Sequence, residues 1–164
     1  FDPLAIAQEY SKNGANAIVY FDPISSPTMS TKDEFLNAGL PIMKECIEKI
    51  NAPIAVHYAS GIILPIIDEI ISSGVVAVGT SSKEDHKIIK EKCKGKLTII
   101  GNLNGIEMVR WTKEDVTKKL TDIVNLCSES GGFILSDNHG EIPLQVPEET
   151  VKFIAEQIKV IGKY

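Results

Sequence analysis

Gly132-Phe-Ile-Leu-Ser-Asp-Asn-His-Gly-Glu-Ile-Pro143 is a short apolar run that passes at once into a polar turn carrying Asp137, Asn138 and His139. It predicts a buried strand, and the turn behind it is too rich in titratable and hydrogen-bonding groups for plain connection. Four other apolar runs end in the same way. Ala17 to Phe21 leads into Asp22-Pro-Ile-Ser-Ser, Ile54 to Val56 into His57-Tyr-Ala-Ser-Gly, Val75 to Val78 into Gly79-Thr-Ser-Ser, and Leu97 to Ile100 into Gly101-Asn-Leu-Asn-Gly. Short apolar runs without alternation are those of a parallel sheet covered on both faces. Parallel strands bring their polar ends to one rim, where open α/β sheets and α/β barrels place their sites.

Helical patterns separate the runs. Asp2 as N-cap, Pro3 at the first position and Gly14 as stop predict a helix over Pro3 to Asn13, with Leu4, Ala7 and Tyr10 turned to the sheet. Thr31-Lys-Asp-Glu34 has capping-box spacing, and Pro41 inside the following pattern predicts a kink or two shorter helices. Isoleucines at spacings of three and four predict a helix from about Gly61 to Ser72. Ser82 is expected to cap a helix to about Lys92, with Ile88 and Ile89 inward and His86 outward. Thr112-Lys-Glu-Asp115 opens a helix striped by Val116, Leu120, Ile123, Val124 and Cys127. Pro147 opens the last helix, with Val151, Ile154, Ala155, Ile158 and Ile161 on its inner side. One helix and five βα units make a single α/β domain over residues 1–164. It is either a complete doubly wound parallel sheet or the larger part of a barrel, since a closed eight-stranded barrel takes roughly 250 residues. Phe1 in place of Met makes part of a longer polypeptide the expectation.

Of the 164 residues, 43% are hydrophobic, enough for a sizeable core. The net charge of −5 argues against a nucleic-acid surface. Lys83 to Lys96, the densest basic region, is interrupted by Glu84, Asp85 and Glu91 and reads as a solvated helix face. The longest apolar stretch, Ile62 to Ile71, is broken by Pro65, Asp68 and Glu69 and cannot span a bilayer, and no leader pattern precedes the first element. A cytoplasmic protein that binds neither nucleic acid nor membrane is therefore expected. Cys46, Cys93 and Cys127 are odd in number and lie within helical patterns, as free thiols do. Gly-x-Ser-x-Gly, Walker A and Gly-x-Gly-x-x-Gly patterns are absent, which disfavours hydrolase elbows and nucleotide loops.

At the rim, His57 and His139 are two imidazoles at strand ends, and Asp137 adds an oxygen donor. A set of two histidines and one carboxylate can bind zinc or iron. The alternative is that both rings are hydrogen-bonded rim residues that bind a substrate carboxylate or nothing. Asp22 directly follows a strand and suits either turn initiation or a site carboxylate. Asn102 could donate to an anionic ligand, whereas Asn104 is expected to serve the turn. Ser25 in the Asp22 turn and Thr80 beside Gly79 offer hydroxyls to a substrate. Trp111, just before a helix cap, is expected to pack.

Three rim segments together resemble the uroporphyrinogen decarboxylase superfamily, which includes the methylcobalamin:coenzyme M methyltransferases. They are Phe21-Asp-Pro-Ile-Ser-Ser-Pro27 with Phe35 and Pro41 behind it, Gly101-Asn-Leu-Asn-Gly105, and Gly132 to Gly140 with Ile142-Pro143 and Pro147-Glu-Glu. The resemblance implies the C-terminal, five-stranded part of a (βα)8 TIM barrel of the uroporphyrinogen decarboxylase type, about twice this length. For the methyltransferase branch, active in methanogenesis, it implies transfer of a methyl group from a methylcobamide on a corrinoid protein to a zinc-activated thiol such as coenzyme M. His57, His139 and Asp137 would then be the metal ligands, Asp22 and His139 the catalytic groups, and Asn102, Thr80 and Ser25 the substrate contacts. Ala59 and His139 stand where that branch has cysteines, and His139-Gly140 is similar to the Gly-His-Gly loop of the decarboxylases. Porphyrinogen decarboxylation is the second implied activity. A non-catalytic half-barrel that binds a corrinoid protein or pairs as a homodimer is the third expectation.

Overall fold

β1 (Ile18–Phe21), β2 (Ile54–His57), β3 (Ala77–Gly79), β4 (Thr98–Leu103) and β5 (Phe133–Asp137) pair side by side in chain order, all parallel, in a computed structural model that describes residues 2–163. Right-handed crossovers between sequential parallel strands return every helix to the same side. Ile18, Tyr20, Ile54, Val56, Val78, Ile99 and Phe133 accordingly pack into a helix-covered core. The other face is open at both ends of the sheet, with Val19 49%, Phe21 55% and Ile134 52% exposed. A doubly wound sheet reverses its strand order and carries helices on both faces. The fold is therefore the singly wound, barrel-type arrangement, and the expectation of strands covered on both faces is corrected: β1 alternates because only its outer face meets helices.

The register places Phe21, His57, Gly79, Ile100 and Ile134 in one row across the inner face. Side chains of parallel partners in register point to the same face, so this row is the floor of the mouth formed by the strands' C-terminal ends.

The helices follow from local signals. α1 (Pro3–Lys12) is capped by the Asp2 carboxylate, which accepts from the Leu4 and Ala5 N–H groups. Leu4 and Ala7 meet the core, but Tyr10 is exposed, against expectation. α2 (Lys32–Glu34) starts in the Thr31–Glu34 capping box and runs through a π-helical stretch, Phe35–Gly39, into α3 (Leu40–Lys49). Pro41 has no N–H and its ring crowds the carbonyl four residues back, so the widened turn is the form taken by the expected interruption. A 3₁₀ turn, Leu64–Ile66, leads into α4 (Ile67–Ser73), which starts later than Gly61 because Pro65 sits in that tighter turn.

α5 (His86–Cys93) is capped by Asp85, not Ser82. α6 (Gly105–Met108) is capped by Asn104, and α7 (Lys113–Cys127) by the Thr112–Asp115 box, with its whole expected stripe buried. α8 (Glu148–Ile161) follows Pro147 and packs along α7 with Val151, Ile154, Ile158 and Ile161, while Ala155 is exposed. Cys93 and Cys127 are buried, Cys46 is half-buried, and all three are free. Burial pushes the Cys93 thiol up to about 11, which makes it inert. Among the described residues, no helix is long and apolar enough to cross a membrane.

Candidate functional site

His57 closes β2 and lies on the inner face, 4% exposed. Its neighbour in the row is Gly79, where a Cβ would stand 2.3 Å from His57 Cδ2. The bare backbone of β3 is therefore what lets the imidazole lie across the sheet. On the other side the Phe21 ring stands 4.8 Å away, centroid to centroid, tilted by 31°. The Ala59 N–H donates to His57 Nδ1 at 3.0 Å. A ring nitrogen that accepts carries no proton, so the neutral ring bears its hydrogen on Nε2. Burial lowers the His57 pKa below its usual value, and the charge of Asp137 opposes this while that of His139 adds to it. The three groups thus act on one another at one mouth.

The turn after β5 is held by its own carboxylate. Asp137 accepts the N–H groups of His139 at 2.8 Å and Gly140 at 2.7 Å. Gly140 has φ +91°, and a Cβ there would come within 2.4 Å of the Phe21 ring, so the turn leans back across the inner face to β1. His139 sits in that turn, its Nδ1 3.8 Å from where a Gly105 Cβ would stand at the start of α6. His139 is half-buried, and its Nδ1 is sequestered from solvent without a hydrogen-bond partner among the described residues.

The other expected site residues take different stations. Asp22 is at the mouth, but its backbone N–H donates to the His57 carbonyl and its carboxylate accepts the Ser25 N–H at 3.2 Å, the arrangement of a turn initiator. Ser25 faces away, its Oγ 2.6 Å from where a Gly39 Cβ would be. Thr80 is fully buried, and its Oγ1 lies 3.2 Å from the Ile100 carbonyl and 3.1 Å from His86 Nε2. Asn102 belongs to β4 and not to a turn, and its Nδ2 lies 3.2 Å from His86 Nδ1. Asn104, expected to serve the turn, caps α6 instead, its side chain accepting the Ile106 and Glu107 N–H groups.

His86 and Glu84 were not expected in this region. His86 is 5% exposed, at the first position of α5, where the side chain points back toward the helix N-terminus and so into the strand ends. Ile88 takes the outward place instead, 40% exposed. The Glu84 carboxylate accepts the N–H groups of Ile63 at 2.8 Å and Leu64 at 2.7 Å, tying the turn after β3 to the one after β2. The signal for His86 was its spacing to Ile89 and Cys93, the two buried residues of the same helix face.

Burial lowers the pKa of both His57 and His86. The unfolded chain then takes up protons before the folded one as pH falls through about 6.5, so this stability is present above that pH and is lost on acidification toward the folded values. Glu84, raised by burial, acts in the opposite sense on its own titration. Urea midpoints between pH 7.5 and 5.5 should fall, and fall less steeply in His86→Asn. Equal slopes in the two proteins would contradict the burial of a neutral His86.

His57, Asp137 and His139 do not fit a zinc ion as they stand. Among the described residues no three His, Cys, Asp or Glu side chains gather closely enough to hold a metal. His57 has Nδ1 engaged by Ala59 and a proton on Nε2, and the Asp137 carboxylate already accepts two N–H groups.

No curated protein matches the chain. Among solved structures, a methyltransferase from Methanosarcina mazei superposes with a TM-score of 0.79 at 20% identity, over 98% of this chain and 46% of its own. A B12-independent methionine synthase from Shewanella sp. W3-18-1, in complex with selenomethionine, superposes with a TM-score of 0.69 at 14% identity, over 97% of this chain and 53% of its own. The chain thus spans about half the length of the structures it matches, and at such identities the likeness is one of fold. The profile of the family described as uroporphyrinogen decarboxylase (URO-D) matches residues 4–160. Matched over nearly its whole length and carrying the resemblance read from its three rim segments, the chain belongs to the uroporphyrinogen decarboxylase (URO-D) family.

Proposed function

We propose that the chain contributes the C-terminal half of a corrinoid-dependent methyltransferase barrel, which passes a methyl group from a methylcobamide on a partner corrinoid protein to a small thiol such as coenzyme M. The observation that supports this reading is that His57, a fixed Nε2–H donor at the end of β2, and His139, in the turn after β5, stand close enough for the charge of His139 to act on His57.

A methylcobamide supplies an electrophilic methyl group when bound. A thiol is a poor nucleophile until it loses its proton. The His139 imidazole accepts that proton, and His57 Nε2–H steadies the sulfur as it becomes negative. The methyl carbon would pass to the sulfur, its bond to cobalt broken with the electron pair left on the corrinoid of the partner, and His139 would hand the thiol's proton to solvent. Asp137 positions His139 through its backbone N–H, and Asn102, braced by His86, offers its amide to the far end of the thiol substrate. No step runs through zinc, because His57, Asp137 and His139 leave no ligand set for it.

The decarboxylase reading has the family's own description in its favour. Against it, Arg110 is the one arginine in the sequence and is exposed, so this chain brings no cationic clamp for a substrate of several carboxylates. The open inner face, with Phe21 and Ile134 exposed, favours a half-barrel that pairs with a second copy as the non-catalytic reading. The full-length protein incubated with methylcobalamin and coenzyme M should consume the methylcobalamin and yield the methyl thioether. Release of CO2 from a porphyrinogen without loss of methylcobalamin would replace this reading with decarboxylation.

A further inference from the structure

A second cavity lies outside the mouth. It has a volume of about 480 Å³, within the range of small-molecule sites, and opens between α5 and α7 below the end of β4. No residue of β1, β2 or β5 lines it, so it is separate from the His57–His139 mouth. Its floor is apolar, formed by Leu103 and Ile123, and Trp111 forms one wall.

The chain places a cation of its own in this cavity. Lys119 holds its ammonium 5.0 Å from the centre of the Trp111 ring and 3.5 Å from Glu107 Oε2. An aromatic face and a carboxylate converging on one point attract a cation by quadrupole and by charge. Lys119 is on a flexible stem and its side chain is 41% exposed, so the seat can be vacated at little cost. Asp85, which caps α5, and Asp122, paired with Lys118, also line the cavity beside Glu84 and Glu107, so carboxylates outnumber ammonium groups there and disfavour an anionic ligand. At the inner end His86 and Asn102 present hydrogen-bonding groups beside that apolar floor. The lining therefore suits a compact cation with a carbon surface and one polar substituent.

We propose that this cavity binds a small alkylated ammonium compound, whose methyl groups lie on the Trp111 face in the place Lys119 now holds. The proposal does not rest on the methyl-transfer reading, although Asn102 and His86 border both sites.

Choline chloride is a suitable probe, with 3,3-dimethylbutan-1-ol as its neutral counterpart of the same shape. Trp111 is the sequence's only tryptophan, so its emission reports on the cavity, and calorimetry gives an independent affinity. Choline should bind saturably and change Trp111 emission, while the neutral alcohol does not. Glu107→Gln should weaken choline by about two- to fivefold, the scale of an exposed charge pair. Lys119→Met should tighten it by a similar factor, because the resident ammonium no longer competes. Both substitutions are at the surface and leave the core intact. Weaker choline binding in Lys119→Met, equal binding of the neutral alcohol, or no saturable binding at all would overturn the proposal.

Discussion

Replacement of His139 by alanine should lower methyl transfer to coenzyme M near neutral pH by about 10²–10⁴-fold, the range of a lost general base. The effect follows from one ring. The turn that carries the His139 imidazole is fixed by Asp137, which accepts the His139 and Gly140 N–H groups, and by the close approach of Gly140 to Phe21. The deficit should narrow as pH approaches the thiol's own pKa, about 8.5, where the nucleophile ionises without help. A ring that merely supported the turn would lower the rate by the same factor at every pH. Rates of the full-length protein and the variant between pH 6 and 9.5 separate the two, and a constant ratio would remove His139 from the chemistry.

The second large effect belongs to a residue with no side chain. In Gly79→Val the new Cβ would fall 2.3 Å from Cδ2, 2.7 Å from Cγ and 2.8 Å from Nε2 of His57, three atoms of one ring. The ring cannot swing aside without giving up the Ala59 N–H and its contact with Phe21. Overpacking of this kind costs about 1–3 kcal/mol. Urea unfolding should show that loss, and methyl transfer should fall with it because His57 no longer points its Nε2–H into the mouth. Removal of the obstructing ring in the Gly79→Val, His57→Ala double variant should restore much of the stability and none of the activity. A Gly79→Val protein as stable and active as the parent would mean that His57 does not lie across β3.

The strand positions were legible because each apolar run is short, bounded by glycine or proline, and followed by polar groups. The order of the strands was not legible, since the same runs satisfy a sheet wound in both directions. Only the pairing of each strand with its successor, and the exposure of Val19, Phe21 and Ile134, decide for the singly wound form. Asp22, His57, Asn102 and His139 were read as candidates because strand ends in parallel sheets collect function, and the structure sets each of them at or just after such an end. His86 was misplaced for a local reason. With Ile88 and Ile89 both read as inward in a charged segment, the buried face was centred between them and left His86 outside, whereas the face runs through His86, Ile89 and Cys93 and leaves Ile88 exposed. Ser25 was read into the site because its turn is there, but the sequence does not reveal that its hydroxyl turns toward Gly39. The expected zinc set turned on spacing, which a list of ligand types does not carry: among the described residues no three His, Cys, Asp or Glu side chains are gathered closely enough to hold a metal.

The claim beneath all of this is that β2 and β5 deliver His57 and His139 to one mouth. The titration of His57 tests it most directly, followed by nitrogen-15 NMR of histidine-labelled protein in the parent, Asp137→Asn and His139→Ala. The parent should show a proton on Nε2 and none on Nδ1 of the neutral ring. Loss of the Asp137 charge should lower the His57 pKa further, and loss of His139 should raise it. A His57 pKa unmoved by both substitutions would place the two rings apart and contradict the shared mouth.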